Sequence, residues 1–464
     1  MEIDSLRKKY KDFEYQYYEI KEDGENIIVK FGFEIIGLSK FEPEILISKK
    51  DFKWQNVKSE KAKKIVFYLG MVEAISYFKA TCSPNFHIKC GFLNEEQKKW
   101  FSKLYYLGLG EFRYRNNINI KQEDFVKFIS NEEFNEENFE KSESKNIYKN
   151  EEIKEKFDGI IIPIGGGKDS NVTLDLLKDY KDKTLAFCIG SKKVSLECAK
   201  QAGFEREKVI EVNRKIDKNL LELNAQGFFN GHTPFSAIVA FITYLTAYLL
   251  GKKYIALSNE DSANQSNVNG ENINHQYSKT YEFETDFRNF TKKYIDTEVE
   301  YFSMLRPITE LQIAMLFSKL KQFHSIFKSC NVGSKTEPWK WCCNCPKCLF
   351  VYTILSPFLY KEELVNIFGE DLFEKENLKE TFIELCGFGE TKPFECVGTY
   401  EEVQYAISKT IEKLESNNKS LPFLLNFYKE NYDLRDGEFL KFYNENNHLP
   451  KEFDQILRRK IFEN

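Results

Sequence analysis

The sequence predicts an α/β protein: a doubly wound parallel sheet, preceded by an N-terminal α+β domain and followed by a mostly helical C-terminal region. Three observations carry that expectation. The run GIIIPI, Gly159 to Ile164, is short, apolar and without alternation, as a strand buried on both faces requires. Strand-like and helix-like stretches then alternate at the spacing of βαβ units, as far as YIALS at Tyr254 to Ser258. Beyond residue 349 the strand signals stop.

Along the chain, FEYQYYEI (Phe13 to Ile20) and IIVKFGFEI (Ile27 to Ile35) flank the Gly-containing turn KEDGEN and predict two paired strands. A helix follows from about Glu60 to Lys79, where Ile65, Val66, Leu69, Val72 and Ile75 fall on one stripe. Residues 1–130 therefore read as an α+β domain. Residues 131–156 collapse to Glu, Lys, Asn and Ser with scattered Phe, the composition of a charged linker. The α/β domain is expected over 157–348 and the helical region over 349–464. Within the former, helices are expected near 171–180, from about Val194 and over 234–250, and strands at TLAFCIG (Thr184 to Gly190) and KVIEV (Lys208 to Val212).

One run invites a membrane reading: FSAIVAFITYLTAYLL, Phe235 to Leu250. Its 16 residues reach only about 24 Å as a helix, short of a hydrocarbon core of about 30 Å. Pro234 before it and Gly251-Lys252-Lys253 after it read as the ends of a buried core helix. Lys plus Arg number 67 and Asp plus Glu 72, a net charge of −5, so nucleic acid is not an expected partner, although a local basic pocket for a small anion is allowed. Aromatics at 15% are far above what a disordered chain carries. The charged start MEIDSLRKKYKDFEYQ lacks the apolar core of a secretory signal, which makes a cytoplasmic protein the expectation. In that setting the 11 cysteines favour thiols or metal ligands over a disulfide framework.

The chemistry concentrates in GGGKDS, Gly165 to Ser170, between a buried strand and a helix. Ligands of such sheets bind at the carboxyl ends of the strands. Gly165, Gly166 and Gly167 let backbone approach an anion, and the following helix N-terminus offers free N–H groups. Lys168 adds a point charge, Asp169 can hold Mg²⁺, and Ser170 can donate to an oxygen. Spacing excludes a Walker A loop, because Asp169 follows the lysine and Ile162 stands where its first glycine belongs. It also excludes a dinucleotide fingerprint, since Ser170 occupies the third glycine position.

GGGKDS resembles the PP-loop of the ATP pyrophosphatases, SGGxDS, with Gly165 in place of the leading Ser and so one hydroxyl donor fewer. Downstream, NGHTPFSAI (Asn230 to Ile238), LSNEDSAN (Leu257 to Asn264), NHQYSKTYEFE (Asn274 to Glu284), YFSMLRPITELQIA (Tyr301 to Ala314), WCCNCPKC (Trp341 to Cys348) and KPFECVG (Lys392 to Gly398) extend the likeness. Together they resemble the ATP-dependent UDP-N-acetylmuramoyl-L-alanyl-L-glutamate epimerases of peptidoglycan synthesis, over roughly residues 160 to 400. The resemblance implies a PP-loop fold, ATP and Mg²⁺ as cofactors, a UDP-sugar peptide as substrate, and conversion of its terminal L-glutamate to D-glutamate through a carboxyl adenylate, with release of AMP and pyrophosphate. Adenylation makes chemical sense: it turns a carboxylate into a neutral electron sink, so an ordinary base can remove the α-proton. Other readings stay open: another PP-loop adenylating enzyme, such as an amide ligase or a thiolation enzyme, or a non-catalytic ATP-binding module.

The base is not fixed by sequence. His232, His275 and Cys396 are the candidates, each with a structural alternative. Lys279 and Arg306 suit clamps for carboxylate or phosphate, and Glu260, Glu282 and Glu284 complete the ionisable set in these strings. Cys330, Cys342, Cys345 and Cys348 have the spacing of a structural Zn²⁺ site, and the zinc cluster of the PP-loop enzyme 7-cyano-7-deazaguanine synthase favours that reading. Iron–sulfur and free-thiol readings stay open, as does the choice between Cys343 and Cys345.

Overall fold

The computed structural model describes residues 2–49, 54–55, 57–130, 157–190, 193–268, 273–333 and 340–463. The linker expected at 131–156 lies outside the described residues. The strands are β1 (Asp12–Asp23), β2 (Asn26–Ile35), β3 (Ser39–Phe41), β4 (Glu44–Ser48), β5 (Asn85–Ile88), β6 (Lys127–Ser130), β7 (Ile160–Pro163), β8 (Thr184–Ile189), β9 (Val209–Lys215), β10 (Tyr254–Leu257) and β11 (Glu300–Ser303). The helices that matter below are α1 (Glu60–Glu73), α2 (Lys168–Leu176), α3 (Phe235–Leu249), α4 (Glu310–Ser318), α5 (Pro346–Leu355) and α6 (Tyr400–Ser416). The class is α/β, with mixed strand pairing and helices.

Where the expected boundaries run along the chain, the compact units interleave. The first comprises Met1–Gly159, Ile210–Ile255 and Thr285–Glu300; the second comprises Ile160–Val209, Ala256–Glu284 and Tyr301–Asn464.

In the first unit β1 and β2 form the expected hairpin, closing at Asp23↔Asn26 with a bulge between Tyr15 and Tyr17. Period-two alternation puts Phe13 and Tyr15 of β1 and Ile27, Val29, Phe31, Phe33 and Ile35 of β2 in the core. β4 pairs antiparallel with β2 and with residues 212–215 of β9, whereas β5 lies parallel to β1 and β6 parallel to β5. Ser59 caps α1 by accepting the Ala62 N–H at 3.2 Å. Gly70 lets this helix approach β1, since a Cβ there would sit 1.9 Å from the Tyr15 hydroxyl. The helix expected as far as Lys79 ends at Glu73, and a second short helix covers Ile75–Phe78. The apolar stripe stays buried throughout.

α3 is the apolar run that invited a membrane reading, and it is a buried helix. It belongs with α1 in the first unit, not with the strand β7 whose domain it was expected to join, because its apolar surface packs against α1. Among the described residues no helix is long and apolar enough to cross a membrane.

The second unit contains β7 and β8, paired parallel from Ile160↔Thr184 to Pro163↔Phe187, with strand order β11-β10-β7-β8. α2 follows β7 directly. α4 packs on α2 and α5, and α5 packs on α6. Beyond residue 349 the described residues contain helices and turns but no strand, as the sequence predicts, and the same holds of the described residues back to Ser303. The second unit therefore holds the glycine turn, the cysteine cluster and nearly every polar string singled out above.

Candidate active site

The glycine turn has the expected place but a different helix start. Gly167 occupies the N-cap position with φ −85° and ψ 174°, so α2 begins at Lys168, not near Asn171. Lys168, Asp169 and Ser170 therefore lie in the first turn, where backbone N–H groups lack intrahelical acceptors. Gly166 has φ +86°, and a Cβ there would meet Val194 at 2.8 Å. A Cβ at exposed Gly165 would meet nothing within 4 Å, so the turn opens outward at that position. The Ile164 N–H donates to the Phe187 carbonyl at 2.8 Å, and the Gly166 carbonyl accepts the Lys328 N–H at 2.9 Å, which pins the turn at two points.

Two side chains of this turn differ from expectation. Lys168 is not presented to a ligand: it is 2% exposed, and its Nζ donates to both Asp169 and Glu310. A buried ammonium is retained only when paired, and two carboxylates do that here. The Ser170 hydroxyl donates to the Gly167 carbonyl at 3.1 Å and so braces the turn. What faces outward is backbone and the partly exposed Asp169 carboxylate. Those are groups suited to a phosphate and to a hydrated divalent cation.

Around this turn lies a buried charge network that sequence reasoning largely missed. Burial disfavours the Asp169 charge, but Lys168, Lys347 and Lys279 outweigh it and hold the carboxyl below its ordinary value. Glu310 is pushed well above the carboxylate range by burial, with Lys168 opposing and Asp169 and Glu260 adding to the rise. The Thr309–Gln312 capping box sets Glu310 at the first position of α4, and the Glu310 N–H donates to Glu402 at 2.6 Å. Burial draws the Lys392 ammonium down to about 8, although Glu402, Glu260 and Glu310 favour its charge. Lys392 and Glu310 both stand in the polar strings of the sequence. What singles them out is burial, which a sequence does not display.

Cys396 is the most activated group of the site. Its Sγ accepts from Lys279 Nζ at 3.0 Å, and its backbone carbonyl accepts from Lys347 Nζ. Burial alone would raise the thiol, but Lys279, a hydrogen bond from His275 and Lys347 hold it down to about 5. Lys279 in turn stays firmly charged: burial opposes it, while Cys396 and Glu260 prevail. Cys396, Lys279 and His275 are all half-buried. The His275 backbone is fixed by its N–H bond to Asn267 at 2.8 Å.

Arg306 does not form the expected substrate clamp. It is fully buried, and its guanidinium donates to the Glu260 carbonyl at 2.6 Å, to the Lys279 carbonyl and to the Glu284 carboxylate at 3.1 Å. It acts as an internal strut whose bonds fix the backbone under Glu260 and Lys279, with Glu284 as its counter-ion. Glu260 is buried and faces the lysines; Glu282 is exposed at the start of its helix. His232 belongs to the first unit, where its Nδ1 lies 3.4 Å from Glu111. Lys79 steadies that loop by donating to the Gly231 carbonyl and, at 2.8 Å, to Thr233.

The cysteine cluster resolves the choice left by spacing. The sulfurs of Cys330, Cys342, Cys345 and Cys348 lie within 4.8 Å of one another. Cys330–Cys345 is 3.8 Å, Cys342–Cys348 3.7 Å and Cys345–Cys348 3.5 Å. A tetrahedron with metal–sulfur bonds of about 2.3 Å has edges of about 3.8 Å, so one zinc-sized ion fits this set. Thiolates bound to different irons of a cluster stand farther apart than these four sulfurs do, so the set suits a single ion. Cys343 turns away: it has φ +57°, and its thiol donates to the Phe368 carbonyl at 3.2 Å.

Fold and site together define an α/β protein with a glycine-rich turn at a helix N-terminus and an activated thiolate in the same compact unit. Comparison with known families gives that class a particular member. Residues 4–304 match the family model for the MurL N-terminal domain, and residues 326–433 that for the MurL C-terminal domain. The chain is 32% identical over 358 residues to the UDP-N-acetyl-alpha-D-muramoyl-L-alanyl-L-glutamate epimerase of Xanthomonas oryzae pv. oryzae, covering 75% of this chain and 74% of that one. The identically named protein of a Micromonospora species is 32% identical over 354 residues, 75% of each chain, and that of Salinispora tropica 36% over 249 residues, 53% of this chain and 54% of the other. The chain belongs to the MurL epimerase family.

Proposed function

We propose that this protein inverts the terminal L-glutamate of UDP-N-acetylmuramoyl-L-alanyl-L-glutamate in peptidoglycan synthesis, with Mg²⁺-ATP as co-substrate. The substrate carboxylate attacks the α-phosphorus of ATP, and pyrophosphate leaves. The adenylated carboxyl then acidifies the α-proton, which a base removes; reprotonation on the opposite face and hydrolysis return the D-glutamyl product and AMP. In this reading the N–H groups of Gly166 to Ser170 hold phosphate oxygens, as a PP-loop would, and Asp169 is the ligand for Mg²⁺.

The observation that carries the base assignment is the Cys396 thiolate, 3.0 Å from Lys279 in the same unit as the glycine turn. A thiol held near 5 is ionised at neutral pH and can accept a proton from carbon once adenylation has lowered that proton's pKa. Lys279 and His275 keep it in that state. The four-cysteine cluster, if it holds zinc, has no open position and supplies structure, not Lewis-acid chemistry.

The test is release of pyrophosphate and AMP from Mg-ATP with and without the UDP-sugar dipeptide, with chiral chromatography of the liberated glutamate. Substrate-dependent pyrophosphate accompanied by D-glutamate is the expected result, and Cys396→Ser should keep pyrophosphate release while losing inversion. Pyrophosphate without inversion in the unmodified protein would move it to another adenylating reaction, such as amide ligation or thiolation. No pyrophosphate with any substrate would leave an ATP-binding module.

A further inference from the structure

The cysteine cluster reaches the site through residues that are not its ligands. Lys328 and Ser329 directly precede Cys330. The Lys328 N–H holds the Gly166 carbonyl at 2.9 Å, and a Cβ on Gly167 would lie 3.4 Å from the Ser329 Cβ. Lys347 stands between Cys345 and Cys348 in the first turn of α5, 7% exposed and 5.2 Å from the Phe350 ring. Its Nζ donates to the carbonyl of Cys396.

The segments joined in this way have little regular structure of their own. Residues 340–345 form irregular backbone and bends before α5, and residues 392–399 run without helix or strand up to the start of α6. The thiolate–ammonium contact needs both of its ends fixed. Arg306 fixes the Lys279 end by binding that residue's carbonyl; the Lys347 bond does the same for Cys396.

We propose that a metal ion held by Cys330, Cys342, Cys345 and Cys348 is a tether that sets Lys347 against the Cys396 backbone, making Lys347 a positioning residue for the reactive thiolate. Its catalytic consequence rests on the reading of Cys396 as the base. The tether itself does not, because it can be measured without turnover. Trp341 anchors one end of the segment against Phe327 and Phe368; four coordinate bonds would fix the rest of it, and the ligand spacing places Lys347 one residue before the last of them.

The experiment uses the full chain and reads two quantities: zinc bound per chain, and the rate at which iodoacetamide labels the Cys396 peptide at pH 5, where the thiolate fraction still responds to a lost charge, followed by mass spectrometry. Lys347→Met should keep its zinc and label Cys396 about tenfold more slowly, the effect of losing one nearby cation and its backbone bond. Lys347→Arg should recover the rate to within about threefold, since the longer cation still reaches the carbonyl. Stripping zinc from the unmodified chain should slow labelling as the methionine variant does, and stripping that variant should slow it no further. A zinc-loaded Lys347→Met chain that labels at the unmodified rate overturns the proposal, as does a chain that takes up no zinc. If the stripped chain unfolds by circular dichroism, the loaded variants decide alone. If Cys396→Ser still inverts glutamate, the base assignment falls while the labelling result continues to decide on the tether.

Discussion

Two lysines of the second unit, Lys168 at the glycine turn and Lys279 at the thiol, show how one residue type takes two roles. Lys168 is 2% exposed and shared between the side-chain oxygens of Asp169 and Glu310, which take two of its three N–H donors. Lys279 is half-buried, and its side-chain hydrogen bond goes to the Cys396 sulfur, with Glu260 and Asp169 adding to its charge from farther off. The carboxylates at Lys168 make a closed charge network, which holds structure. At Lys279 the partner is a soft nucleophile that the ammonium keeps ionised, which prepares chemistry. The residue that neutralises a buried cation, more than burial itself, decides which role it plays.

The comparison breaks most visibly at Lys168. Replacing it with Met leaves the Asp169 and Glu310 carboxylates without their cation, and Glu310 is 1% exposed. Stranding a buried charge costs about 3–5 kcal/mol, which urea denaturation would report. The deficit should depend on pH. A carboxyl whose folded pKa is raised binds its proton more tightly in the folded state, so stability falls as pH rises from the unfolded value, about 4.3, through the folded one. With the folded Glu310 carboxyl already held at about 8 in the unmodified chain, Lys168→Met should be closer to that chain at pH 7 than at pH 9. Equal deficits at both values would mean that Glu310 does not carry the stranded charge.

At Lys279 the same substitution should act on reactivity. With the thiol held to about 5, Cys396 labelling by iodoacetamide should be flat above about pH 6 and fall as pH drops through 5, because the thiolate is the nucleophile. Lys279→Met removes the leading favourable charge, so the midpoint should move up by about 1–3 units, read from the same labelling profile. An unmoved midpoint would hand the role to His275 and remove the contrast between the two lysines.

How much of this was legible in the sequence follows the same division between backbone and burial. The β1–β2 hairpin, β7, β8 and the apolar helix α3 were readable because period and length are local properties. The assignment of α3 to the first unit was not, since it depends on packing against α1. At the site, GGGKDS announced its backbone, and the downstream strings carried Cys396, Lys279 and His275. Lys168 and Arg306 read as ligand-facing cations because a sequence shows charge without showing which anion already occupies it. Glu310, Lys347 and Lys392 were passed over for the converse reason: each stands in a quoted string, and only the fold turns it inward.

The smallest effect separates two cysteines as the larger ones separate two lysines. Cys343 and Cys345 are two residues apart in one turn, yet Cys345 Sγ lies 3.5 Å from Cys348 whereas Cys343 donates to the Phe368 carbonyl. Cys343→Ala removes one weak donor and should cost about 1 kcal/mol or less, with zinc content unchanged if the tetrahedral set binds it. Cys345→Ala opens the tetrahedron and should lose the metal. Each protein, dialysed against zinc and assayed with a chromogenic chelator, gives the answer directly. Loss of zinc in the Cys343 variant alone would mean that the positive φ of +57° at Cys343 belongs to a ligand turn that rearranges when metal enters, and the sulfur geometry described above would then be that of the wrong four cysteines.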